Sequence, residues 1–315
     1  MAQSSVVRLS TEGSPQGGLR KRSEDARQAW WGYIFVAPFF ILFAIFGLYP
    51  LIFSFVLSFT GWKGTGSFNF LGLSNYQSLL QDQVFWRAMA NGVILFALYV
   101  PAMTLLALVL ASVLNSKRII GFRFFRTLIF MPYITNMVAA GFVFQLLFNT
   151  QYGTMNSLIG VFGIAPIPWL DTIWGARVTL ALLVTWAWLG YNMVIMQAGL
   201  QTIPNEVNEA ARIDGANQTQ VFFRITIPLM RPVLLFVIVL STAGTFNLFT
   251  EPVSLFTSNF GSGPLNSTIT PAIHIFNQAF KNFRFGYASA VAYVFFAFVF
   301  VLTILQYRYF GRENN

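Results

Sequence analysis

Apolar residues run along this 315-residue chain in six long stretches, separated by short segments that hold nearly all of its charge. The stretches span about Trp31 to Phe59, Ala88 to Leu114, Thr127 to Phe148, Val178 to Ile203, Val233 to Thr250 and Phe285 to Tyr307, and no Asp, Glu, Lys, Arg or His falls within them. A helix crossing about 30 Å of hydrocarbon needs roughly 20 apolar residues. Each stretch therefore predicts one membrane-spanning helix, and the chain reads as an all-α membrane protein with six transmembrane helices over residues 30–310. Pro38, Pro50, Pro101, Pro132 and Gly190 interrupt the spans and predict kinks, which membrane helices tolerate when neighbours satisfy the freed backbone groups. The outer segment Pro252 to Arg284 shows no regular pattern and reads as a functional loop.

Composition agrees: 56% of residues are apolar and 9% charged, against roughly 45–50% and 25% in soluble domains. A net charge of +9 raises nucleic-acid binding, but the basic residues follow topology instead of forming a basic face. With the N-terminus inside, the outer segments hold Lys63, Arg87, Arg177, Lys281 and Arg284, leaving the other 14 of 19 basic residues inside. That asymmetry places both termini and the segment around Glu209 in the cytoplasm. Residues 1–29 are rich in Ser, Gly, Gln and charge and read as a disordered cytoplasmic tail. The absence of cysteine excludes disulfides and thiol chemistry.

The segment 204–229 is the longest polar interruption with a local structure of its own. Pro204-Asn205-Glu206 predicts a helix start, Ala210 and Ala211 favour helix, and Gly215 predicts its stop. Gln218 to Arg224 predicts a second short helix, with Val221, Phe222 and Ile225 at helical spacing. The order Glu209-Ala-Ala, three residues, Gly215, nine residues, Ile225-x-Ile227-Pro228 resembles the coupling loop of the membrane subunits of binding-protein-dependent ATP-binding cassette importers, with Ile227 in place of the usual Leu. Pro38-Phe-Phe-Ile-Leu, Tyr49-Pro50-Leu and the run from Asn277 to Ala290 extend the resemblance to carbohydrate-importing members, and to the first of their two paired permeases.

The resemblance implies a type I importer transmembrane domain in a prokaryotic plasma or inner membrane. It implies a second permease subunit as heterodimer partner, two ATPase subunits that bind the ATP, and an external solute-binding protein. It assigns Glu209, Ala210, Ala211, Asp214, Gly215, Ala216, Phe222 and Pro228 to ATPase coupling. The chain has no G-x-x-x-x-G-K-[ST] phosphate loop, so no nucleotide or other cofactor is expected on it and it is not itself an enzyme.

Polar and aromatic residues inside spans mark a solute path, because each is costly without a partner or water. Trp188, Tyr191 and Asn192 lie at helical spacing on the fourth span, and Phe246 and Asn247 near the outer end of the fifth. At about 1.5 Å per residue, Trp188 and Asn247 reach a common depth roughly 8–15 Å below the outer surface. Trp186 lies at similar depth on another face, and the resemblance adds it as a candidate. Flat rings beside amides suit a sugar, whose ring faces are apolar and whose rim is hydroxyls. Glu251 lies at the mouth of the same helix, a position for contact with solute or binding protein, and His274 is given no role. An ion-coupled secondary transporter is the alternative, but it normally shows ionisable residues within the spans or inverted repeats.

Overall fold

The computed structural model describes residues 30, 32–115 and 121–310. The expected tail, residues 1–29, lies outside them. Among the described residues the secondary structure is helical apart from a single bridge between Thr60 and Phe70. The chain divides into two units, residues 1–56 and 57–315.

The first unit consists of most of α1 (Gly32–Leu57), whose apolar side chains are exposed almost throughout. A π-helical stretch, Ala44–Leu48, comes just before Pro50. Pro50 lacks the N–H that would bond one turn back and its ring crowds that carbonyl, which a wider turn relieves.

The second unit begins with α2 (Ser74–Leu80) and continues into α3 (Gln83–Asn115), α4 (Phe122–Ile134), α5 (Met137–Leu147), α6 (Thr154–Gly160) and α7 (Ile173–Leu200). The polar segment forms α8 (Asn205–Ile213) and α9 (Gln218–Leu229). There follow α10 (Arg231–Phe246), α11 (Thr250–Leu255), α12 (Pro271–Phe276) and α13 (Phe285–Phe310). Four helices, α1, α3, α7 and α13, are long and apolar enough to cross a membrane. The number rises to six if each of two bent pairs counts as one span.

Those bent pairs revise two of the expected spans. The third is broken into α4 and α5, inclined at 96°. Pro132 lies near the end of α4, Thr135 and Asn136 are extended, and the Asn136 side chain accepts from the N–H groups of Val138 and Ala139 at 2.9 and 3.2 Å. Asn136 is thus the cap that starts a new helix in a new direction. The fifth span is shorter than expected: α9 and α10 meet at 67°, and α10 stops at Phe246. Pro232, in the first turn of α10, accounts for the bend between α9 and α10, since it offers no N–H to the turn before it. Pro101, by contrast, lies within the continuous α3.

The core is built on α3 and α7. Leu95, Val100 and Met103 pack with Leu180, Leu183 and Val184 at one level, and Leu108, Ala111 and Leu114 with Met193, Met196 and Leu200 at another. Gly190 is a packing residue rather than a kink. A Cβ there would lie 2.2 Å from the Ile129 carbonyl oxygen, so α4 and α7 touch main chain to main chain.

The segment 252–284, expected as an outer loop, also departs from expectation, being folded inward. Ile269, Thr270, Ile273 and His274 are buried. Asn91 donates to the carbonyls of Asn266 (2.8 Å) and Ile269 (3.0 Å), while Arg177 donates to Asn91 Oδ1 (2.8 Å) and to the Ser267 carbonyl (3.2 Å). Side chains from α3 and α7 thereby satisfy carbonyls that an irregular segment would otherwise leave unpaired.

Candidate functional site

The candidate residues fall in two regions, and α3, α7 and α10 connect them. The first is α8 and α9. Gly215 takes φ +82°, and the Ala216 N–H bonds back to the Ala211 carbonyl at 2.9 Å, ending α8 through the left-handed residue that favours glycine. Asn217 and Gln220 then form a reciprocal capping box, with bonds of 2.8 and 2.9 Å, that starts α9. Glu209, Ala210, Asp214 and Gly215 are exposed, Ala216 is half-buried, and Ala211 is buried. Ile213, which sequence reasoning passed over, is 86% exposed beside them. Further on, α9 turns inward: Phe222 and Ile227 pack against the cluster of α3 and α7 residues that includes Leu108, Met193 and Met196, and Pro228 is half-buried. The segment therefore has an exposed tip and an apolar root.

The second region is a cavity of about 260 Å³. Tyr99 and Met103 come to it from α3, and Trp188, Tyr191 and Asn192 from α7. Leu240, Ser241 and Gly244 come from α10, followed by Asn247, Leu248 and Glu251. Asn247 lies where α10 ends. Its backbone N–H and its side-chain amide (2.8 Å) both reach the Ala243 carbonyl, satisfying an acceptor left over at a helix terminus.

The cavity wall is ordered by ring contacts and short polar links. Tyr191 stacks on Tyr133 of α4 at 4.8 Å between ring centroids, and Trp188 meets both edge-on at 5.9 and 5.4 Å. The Trp188 indole N–H donates to Glu251 Oε1 at 3.2 Å, and Asn192 donates to the Trp188 carbonyl at 2.9 Å. Thr245 donates its hydroxyl proton to the Ser241 carbonyl, so in the pair between Tyr99 and Thr245 the tyrosine is the donor. Aromatic faces and acceptors thus converge on one space, as in sites for polar organic solutes.

Four sequence-predicted residues, Trp188, Tyr191, Asn192 and Asn247, meet here, and two lie elsewhere. Trp186 packs on Phe144 at 5.7 Å, outside the lining. Phe246 is 1% exposed and its ring fills the notch at Gly92, where a Cβ would come within 2.5 Å of it. Both face away because helical geometry turns successive residues by about 100°. Tyr99, Met103 and Ser241 were not singled out from sequence, since each is ordinary in an apolar span. Tyr133 supports the ring cluster from another helix.

Where α13 begins, a polar knot joins the ends of α3, α12 and α13. Asp82 Oδ1 accepts from the N–H groups of Val84 and Phe85, Oδ2 accepts from the Tyr287 hydroxyl at 2.6 Å, and His274 Nε2 stands 3.1 Å from Oδ2 without hydrogen-bond alignment. Burial pushes the Asp82 carboxyl up. The Tyr287 bond, the two backbone bonds and His274 together outweigh that and hold it below the ordinary range. Burial pulls the His274 imidazole down, against the raising effect of Asp82.

Residues 85–313 match the family described as binding-protein-dependent transport system inner membrane component. The chain belongs to that family. The permease is 41% identical over 287 residues to the lactose transport system permease protein LacF of Rhizobium radiobacter, covering 90% of this chain and 95% of that one. It is 32% identical over 280 residues to the arabinooligosaccharides transport system permease protein AraP of Bacillus subtilis, covering 89% and 88%. In fold it is similar to a chain of a bacterial alginate ABC transporter crystallised with a pentasaccharide-bound periplasmic protein, with a TM-score of 0.77, 19% identity and coverage of 90% and 95%. The permease is accordingly a multi-pass component of a prokaryotic inner membrane, and it supplies the membrane passage of an ATP-binding cassette importer, not its ATPase.

Proposed function

We propose that the permease translocates a sugar delivered by an external binding protein, and that the cavity at Trp188, Tyr191 and Asn247 is its half of the solute path. The observation that carries this reading is the meeting of stacked aromatic rings with amide and carboxylate acceptors in one space within the spans. Ring faces pack on the C–H surfaces of a pyranose while the acceptors take its hydroxyls. The names of LacF and AraP, which refer to lactose and to arabino-oligosaccharides, support the same solute class. At about 260 Å³ the cavity is smaller than a typical ligand site of roughly 300–1,000 Å³, in keeping with a wall completed by a second permease.

Both termini and the segment 204–229 face the cytoplasm in this reading, and each permease of the heterodimer receives one of two ATPase subunits, which bind the ATP. The exposed tip bearing Glu209, Ile213, Asp214 and Gly215 inserts into that subunit. Phe222 and Ile227 carry its displacement to α3 and α7, because they pack directly on the residues those helices share. Closure of the ATPases rocks the helices and reverses the side to which the cavity opens. Solute affinity differs between the two orientations, since equal affinity would shift nothing.

The test is purification of the tagged permease from its native membrane, wild type beside Glu209→Lys. A second permease is expected with both and an ATPase with the wild type alone. A chain that purifies by itself and takes up solute without ATP would overturn the reading.

A further inference from the structure

Glu251 lies at the start of α11, is 7% exposed and forms part of the cavity wall. Withdrawing a carboxylate from water is costly unless a cation or several donors compensate it. Here the compensation is sparse. Among the described residues the Trp188 indole is the one side chain that donates to it, through Oε1, and no basic side chain pairs with it. Among the described residues no Lys, Arg or His lines the cavity either. An ionised carboxylate offers about four acceptor sites and no donor, so most of its capacity is left for whatever enters. Hydroxyl groups are the donors that match it, whereas a second anion would meet like charge in a confined space with nothing to neutralise it.

We propose that Glu251 is a specificity-determining residue that restricts the cavity to uncharged, hydroxyl-rich solutes. It accepts hydrogen bonds from solute hydroxyls and repels sugars that carry carboxylate or phosphate. Its bond from Trp188 also fixes the indole ring, so the apolar platform and the acceptor keep one relative position. The proposal rests on the cavity being the solute's site, as argued above.

The experiment uses the full importer, purified with its companion subunits in lipid nanodiscs without the binding protein. Binding of two neutral probes, lactose and α-1,4-galactobiose, is compared with binding of α-1,4-digalacturonate, which replaces the galactobiose hydroxymethyl groups by carboxylates. The wild type is expected to bind a neutral probe at least about tenfold more tightly than the diacid. Glu251→Gln, which keeps the shape and an acceptor for Trp188, is expected to bring the two affinities close together, and Glu251→Asp to preserve the wild-type preference. Equal binding of diacid and neutral probe by the wild type, an unchanged ratio in Glu251→Gln, or no binding of either neutral probe would each overturn the proposal. Trp188→Ala separates the two layers of argument. If it leaves neutral-probe binding intact, the cavity is not the solute's site. If it abolishes that binding while Glu251→Gln leaves the preference unchanged, the selectivity proposal alone fails. Should Glu251→Gln not assemble, Glu251→Ser beside Glu251→Asp makes the same charge comparison.

Discussion

The segments 204–229 and 252–284 are similar in length and both interrupt the apolar pattern, yet they are held together by opposite means. The first is stabilised by neighbours in sequence: a glycine stop at Gly215 and a capping box between Asn217 and Gln220. The second is stabilised from far away, by Asn91 and Arg177 reaching its carbonyls and by Asp82 meeting Tyr287 and His274. A locally coded segment can present an exposed surface to another protein and remain structured. One that depends on distant side chains is part of the core, and it holds the cavity mouth where Glu251 and Leu248 lie; Thr270 donates to the Leu248 carbonyl at 2.6 Å.

The contrast is broken most severely at Asn91. Asn91→Leu removes two buried donors and the Arg177 acceptor together, and should cost about 3 kcal/mol in a thermal melt of the purified permease. Recovery of the ATPase in co-purification from membranes should persist in the surviving fraction. Next comes Gly215→Val, which forces a β-branched residue to a left-handed φ. It should cost roughly 1–2 kcal/mol locally and reduce ATPase recovery while the segment 252–284 keeps its amide-exchange protection. Asn217→Ala removes the cap of α9 and should cost about 1 kcal/mol, seen as faster amide exchange over residues 218–221 with little change in the global melt.

The finest test is pH. The His274 imidazole is held below its ordinary value of 6.5, so the unfolded chain takes up a proton first as pH falls. The stability it contributes is present above about 6.5 and is lost progressively below that. Asp82, lowered from 3.8, acts in the same direction at more acid pH. Melting temperature should therefore drop between pH 7.5 and 5.5, and His274→Gln should flatten that slope. An unchanged slope would remove His274 from the account.

The same contrast explains what could be read from the sequence. Long apolar stretches and local caps located α1, α3, α7, α13 and the two helices of 204–229 within about five residues, because each signal lies within one or two turns. Helical spacing likewise brought Trp188, Tyr191 and Asn192 to one wall. The 96° turn at Asn136 was hidden because a cap inside an apolar run looks like any buried amide. Phe246 was mistaken for a cavity residue because its true partner, the notch at Gly92, is distant in the chain. The inward folding of 252–284 was illegible for the same reason, since its acceptors are carbonyls, which every residue has.

Gly190 sets how closely two helices approach. Because α7 rests on α4 through bare main chain there, the rings of Tyr133, Trp188 and Tyr191 are brought within contact across the same seam. Any side chain at 190 would push α7 off α4 and so redraw the cavity wall without replacing a single residue that lines it.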